Sequence, residues 1–212
     1  MPHACRVCRY SEGIVERFVL ASRAFERALR PVRPEQWNWP TPCAEWDVRA
    51  LVNHMTQGNA NYVRLLDGGT AADFLRSRDV DALGSDPVGA FTRSVRTCAA
   101  AFAEPGALQR QLDYPLGTAA GEQLLAVRTT DTVVHTWDLA RATNTDEILD
   151  STLVSWITEN LAEIYSDLAE TPTAPTTTHR FFAAPDAVPG DGVSAQDRLL
   201  YQMGRTPHHQ VH

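Results

Sequence analysis

Apolar residues recur at three- and four-residue steps along most of this chain, the spacing that gathers them on one face of an α-helix. Ile14, Val15, Phe18, Val19, Phe25 and Leu29 predict a first helix that Pro31 and Pro34 close. The next stretch, Trp37-Asn38-Trp39-Pro40-Thr41-Pro42-Cys43-Ala44-Glu45-Trp46, holds too much Pro and Trp for regular helix and reads as an ordered connector ending at Asp47, a good N-cap. A second helix follows, with Val48, Val52, Met55, Tyr62 and Leu66 on one face, His54 at the edge of that face, and a stop at Gly68-Gly69. Val88, Phe91, Val95, Cys98 and Phe102 mark a third, ended by Glu104-Pro105-Gly106. A fourth covers about residues 120–143 and a fifth about 151–169. A linker dense in Pro and Thr, the triplet Arg180-Phe181-Phe182, and a short helix from the capping pattern Ser194-Ala195-Gln196-Asp197 to about Met203 complete the chain. No strand signal competes and no internal repeat is visible. The fold class expected is all-α, an up-and-down four-helix bundle with additional short helices and a C-terminal tail packed back on it. Residues 1–11 are expected to be a flexible N-terminus, 12–207 the bundle, and 208–212 a flexible tail.

Composition narrows the partners. The chain has 212 residues, 43% of them hydrophobic, enough for a sizeable core in one domain. A formal net charge of -7 leaves no basic field for a phosphate backbone, so nucleic acid is not an expected partner. The first residues lack the apolar stretch of a signal peptide, and nowhere do about 18 apolar residues run together to span a bilayer. A cytoplasmic location is expected, with no membrane partner and a monomer or homodimer as the assembly. Four cysteines (Cys5, Cys8, Cys43, Cys98) do not make a disulfide framework. Cys5 and Cys8 form a C-x-x-C without the second ligand pair of a zinc ribbon, and a frayed terminus is the plainer reading.

The chemistry lies in the fourth helix. Asp131 and His135 stand four apart, so their side chains stack on one helical face, and that face also carries Leu124, Val127, Val134 and Leu139. An ionised carboxylate among aliphatic groups costs several kcal/mol unless a counter-charge meets it. A divalent cation is one such counter-charge, with His54 of a neighbouring helix as a third ligand and one position left open. Arg128, three residues before Asp131, is another, and a plain carboxylate–imidazole hydrogen bond needs no metal at all. The spacing leaves these open. Arg128 and Asp138 lie one helical step beyond the pair and are candidate catalytic or ligand-orienting residues, although a helix-surface ion pair is the reading the spacing favours. Gln57 and Asn61 continue the His54 side of the second helix as candidate cofactor-binding residues at the mouth of the site.

The segment from Pro40 to Met55, PTPCAEWDVRALVNHM, resembles the signature of the DinB-like proteins grouped with mycothiol-dependent maleylpyruvate isomerase. Val133–Thr143 is similar to that family's second signature, and Ser194–Leu200 with Gly204-Arg205 to its C-terminal ending. The resemblance covers about residues 12–207. It implies a DinB-like bundle whose metal, usually zinc, is held by a His of the first block and an acid–x–x–x–His pair of the second, here His54, Asp131 and His135. The isomerase has Glu at the acid position, where this chain has the shorter Asp131.

What the resemblance implies about function is a metal-dependent thiol S-transferase or isomerase that uses mycothiol, or a similar low-molecular-weight thiol, on a small electrophile in detoxification or secondary metabolism. The expected cofactor is Zn2+, with Ni2+ or Fe2+ also compatible with such ligands. The alternatives are a non-catalytic metal- or ligand-binding module and a His-His-carboxylate Fe(II) enzyme. Cys43 near the start of the second helix is a minor nucleophile candidate. Trp37, Trp39, Trp46 and Trp137 read as core and connector packing, and His208, His209 and His212 as a dangling end.

Overall fold

A computed structural model of the chain describes residues 11–168 and 192–207. Cys5 and Cys8, the Pro/Thr linker with Arg180-Phe181-Phe182, and the terminal histidines lie outside the described residues, and so do the expectations attached to them. Seven α-helices are present among the described residues: α1 (Ile14–Leu29), α2 (Val48–Leu66), α3 (Ala71–Ser77), α4 (Pro87–Ala103), α5 (Gly121–Thr143), α6 (Ser151–Ile164) and α7 (Ala195–Gln202). The expected all-α bundle is the fold observed. Helix α1 packs on α4 and α5, and α2 packs on the same two, so the four long helices form a ring with α1 and α2 on opposite sides of it.

The ends of the helices follow local chemistry. Asp47 caps α2 by accepting the Ala50 N–H at 2.8 Å, and Ser194 caps α7 by accepting that of Asp197 at 3.0 Å. Three details differ from the pattern in the sequence. A two-stranded antiparallel hairpin, β1 (Gln111–Tyr114) and β2 (Gly117–Ala120), precedes α5, where no strand was expected. Its strands have four residues each, and β1 turns only Leu112 and Tyr114 inward, too few for a two-residue period to show. Helix α3 was also missed, because only Phe74 of its residues is buried. Helix α6 stops at Ile164 rather than near residue 169, with Asp167 in the left-handed region at φ 60°.

Helix α5 positions the site. Every residue from Leu124 to Ala140 is buried, although Arg128, Asp131, His135, Asp138 and several threonines lie among them. The threonines satisfy themselves: the hydroxyls of Thr129, Thr130, Thr132 and Thr136 donate to the carbonyls four residues back at 2.7–3.0 Å. The charged residues need partners from other elements, and finding those partners assembles the site.

Candidate functional site

Helix α5 meets α2 at the polar centre of the bundle. Asp131 stands between the two histidines: its Oδ2 lies 3.2 Å from His54 Nε2 and its Oδ1 3.1 Å from His135 Nε2. The structure therefore brings together the three residues that the sequence pattern and the family resemblance joined. His54 is partly buried and the other two are buried. Trp46 of the connector lies against the cluster, its ring centroid 4.6 Å from that of His54 and 5.7 Å from that of His135. Trp46 therefore packs on the cluster as well as within the connector.

Arg128 and Asp138 are not surface residues, contrary to the ion-pair reading. They are 1% and 0% exposed, because α5 is enclosed around its whole circumference and leaves no polar face to solvent. Arg128 donates to Asp131 Oδ2 at 2.6 Å, and its other two nitrogens donate to Asn59 Oδ1 at 2.9 Å and to the Met55 carbonyl, which hold the guanidinium in place against the carboxylate. Asp138 Oδ2 accepts from His135 Nδ1 at 2.8 Å and from Arg205 Nη2 at 2.7 Å, and its Oδ1 accepts from Arg205 Nε at 2.9 Å. Cys43 sits on this side as well, with Sγ 3.9 Å from His135 Nδ1, 3.4 Å from Asp138 Oδ2 and 3.2 Å from Arg205 Nη2. Neither Cys43 nor Arg205 was read from the sequence as belonging here. They stand 92 and 70 residues from His135 in the chain, so no local pattern signals the contact.

The charges set the protonation of the metal-free cluster. Burial pushes the Asp131 carboxyl up, but the two imidazoles beside it prevail and hold it well below the usual carboxylate range. Burial pulls His135 down, yet Asp131 and Asp138 on its two nitrogens raise it well above an ordinary histidine. His54, with one carboxylate partner, is lowered by burial. Arg205 and His135 overcome the burial of Asp138 and depress it.

Two nitrogens and a carboxylate oxygen are a normal donor set for zinc. Each of the three residues offers one donor atom, and these atoms all lie within 4.8 Å of one another, near enough to share one ion. The residues thus fit such a metal. A second group, Cys43, His135 and Asp138, also lies within ligating distance, but the Arg205 guanidinium already supplies its positive charge. Beside the cluster a cleft of about 40 Å³ runs between α2, α3 and the hairpin, lined by His54, Gly58, Tyr62, Phe74, Tyr114 and Arg128 among others. Asn61 reaches this cleft and Gln57 does not line it. Gln57 instead donates to Asn61 Oδ1 at 3.2 Å.

A family model described as the mycothiol maleylpyruvate isomerase N-terminal domain matches residues 18–140. Two uncharacterized proteins from two strains of Mycobacterium tuberculosis are each 34% identical to this chain over 133 residues, which is 63% of this chain and 69% of theirs. A crystal structure of the mycothiol-dependent maleylpyruvate isomerase superimposes with a TM-score of 0.56 over 72% of this chain and 69% of that one. At 12% identity, that likeness is one of fold. The family match takes in more than half of the chain and contains His54, Asp131 and His135, and the chain belongs to the family of the mycothiol maleylpyruvate isomerase N-terminal domain.

Proposed function

We propose that this protein is a cytoplasmic, divalent-metal-dependent thiol S-transferase or isomerase, using mycothiol or a similar low-molecular-weight thiol on a small electrophile in detoxification or secondary metabolism. The observation that carries the reading is the convergence of His54, Asp131 and His135 donor atoms at ligand spacing beside a cleft. Family membership supports the thiol and the isomerase or transferase class. Among the described residues no helix is long and apolar enough to cross a membrane.

A bound zinc ion would supply the positive charge that holds a thiol sulfur as thiolate near neutral pH. The side chains provide the rest. Arg128 and Asp131 cancel each other's charge, so the cluster with neutral imidazoles contributes no net negative charge to repel an incoming thiolate. Arg128 orients Asp131, and Asp138 orients His135, which makes both positioning residues rather than groups that touch substrate. Trp46 covers the His54 ring and keeps water from that side. Tyr62, Phe74 and Tyr114 give the cleft an aromatic lining. Burial raises the Tyr62 hydroxyl above its ordinary range, so it stays a neutral donor.

One contact favours a second reading. Arg128 already gives Asp131 a counter-charge, so the same side chains also close as a metal-free hydrogen-bonded network in a ligand-binding protein. Zinc content measured on protein exchanged into zinc and desalted separates the two. The catalytic reading expects about one ion per chain, lost in His54→Ala and His135→Ala; wild-type protein without stoichiometric metal contradicts it.

A further inference from the structure

The family match ends at residue 140, yet the hydrogen bonds of the cluster continue beyond it into the C-terminal segment. We infer that Arg205 is a positioning residue of the site, gripping Asp138 so that Asp138 fixes the ring of His135. The inference rests on the proposed role of His135 as a metal ligand.

The local sequence explains how Arg205 gets there. Helix α7 is anchored in the core by Leu199, Leu200 and Met203, and by Gln196, whose amide accepts from Leu149 N–H and donates to the Glu147 carbonyl. Gly204 then takes φ 70°, a left-handed turn that favours glycine, and the Arg205 N–H donates back to the Leu200 carbonyl at 2.8 Å. That turn sends the Arg205 side chain inward, where the residue is 6% exposed. Its Nε and Nη2 meet the two oxygens of Asp138 at 2.9 and 2.7 Å, the two-pronged geometry that only a guanidinium offers. Nη1 donates to the Met203 carbonyl at 3.0 Å, which holds the fork in place.

Asp138 has no exposure and passes this constraint to His135 Nδ1 at 2.8 Å. With Nδ1–H committed to Asp138, the ring presents Nε2 to Asp131 and to the metal position. The same Nη2 lies 3.2 Å from Cys43 Sγ, in the connector that also carries Trp46 onto His54. One C-terminal side chain thus braces both sides of the cluster. Without it Asp138 is a buried carboxylate with His135 as its remaining charged partner, free to shift with the ring.

The test compares wild-type protein with Arg205→Ala and Arg205→Lys, each checked for helix content by circular dichroism. Two quantities are read: zinc affinity by competition with a chromophoric chelator, and the His135 Nδ1–H resonance in 1H–15N spectra of metal-free protein. Arg205→Ala is expected to bind zinc roughly 10–100-fold more weakly and to move or lose that resonance. Arg205→Lys keeps the charge, guards against a variant that merely unfolds, and is expected to bind several-fold more weakly with the resonance displaced. Wild-type affinity and an unmoved resonance in a folded variant overturn the inference and leave the metal reading standing. Absence of zinc binding in the wild-type protein overturns the metal reading instead, and the resonance in metal-free protein still decides whether Arg205 positions His135.

Discussion

Gly58→Ala separates the site described here from an ordinary helix. Gly58 lies inside α2, where replacing glycine by alanine normally stabilises a helix by about 0.5–1 kcal/mol. Here an added Cβ would stand 2.7 Å from Arg128 Nη1 and 2.8 Å from both Cζ and Nη2. A flexible arginine would swing aside cheaply, but this one is 1% exposed and bonded to Asp131, Asn59 and the Met55 carbonyl. Moving it loosens a buried ion pair, and complete loss of one partner in such a pair costs about 3–5 kcal/mol. Complete displacement, less the helix gain, gives an expected net loss of about 2–4 kcal/mol. For a chain of this size that is a fall in Tm of roughly 5–12 °C. Urea titration gives the free energy and differential scanning calorimetry the Tm, both on metal-free protein. A variant as stable as wild type, or more stable, refutes the claim that Arg128 is locked against Gly58.

Cys98 is wholly buried and its thiol is pushed up to about 12 by that burial, so in a variant lacking Cys5 and Cys8 a thiol reagent at pH 8 should label partly buried Cys43 first and reach Cys98 only on unfolding. Fast labelling of Cys98 in native conditions contradicts the packing described. The metal-free protein should also depend on pH through His135. Burial lowers this group but Asp131 and Asp138 raise it further, so its folded value is above the unfolded one of about 6.5. The stability it contributes is full below about pH 6.5 and declines as pH rises toward the folded value. Urea titrations should therefore show wild type losing ground to His135→Gln as pH increases from 6.5, and a gain over that range would reverse the assigned sign.

The long helices were legible because each buries one face through several turns, as α1 does with Ile14, Phe18, Phe25 and Leu29. Helix α3 and the hairpin were not, since one or two inward residues make no period. Within the site, Asp131 and His135 could be paired from their spacing alone, whereas His54 needed the family resemblance. The burial of Arg128 and Asp138 was misread because the amphipathic rule assigns a solvent face to every helix, and α5 has none between Leu124 and Ala140. Cys43, Asn59, Trp46 and Arg205 reach the cluster from distant parts of the chain through tertiary packing that no local pattern encodes.

The central claim is that His54, Asp131 and His135 hold a metal that takes a thiol in its open position. Titrating cobalt-substituted protein with mycothiol, and following absorption in the near ultraviolet and visible, tests it most directly. The account predicts a saturable thiolate-to-cobalt charge-transfer band in the wild-type protein, absent in His54→Ala; cobalt that binds without any such band as mycothiol is added contradicts it.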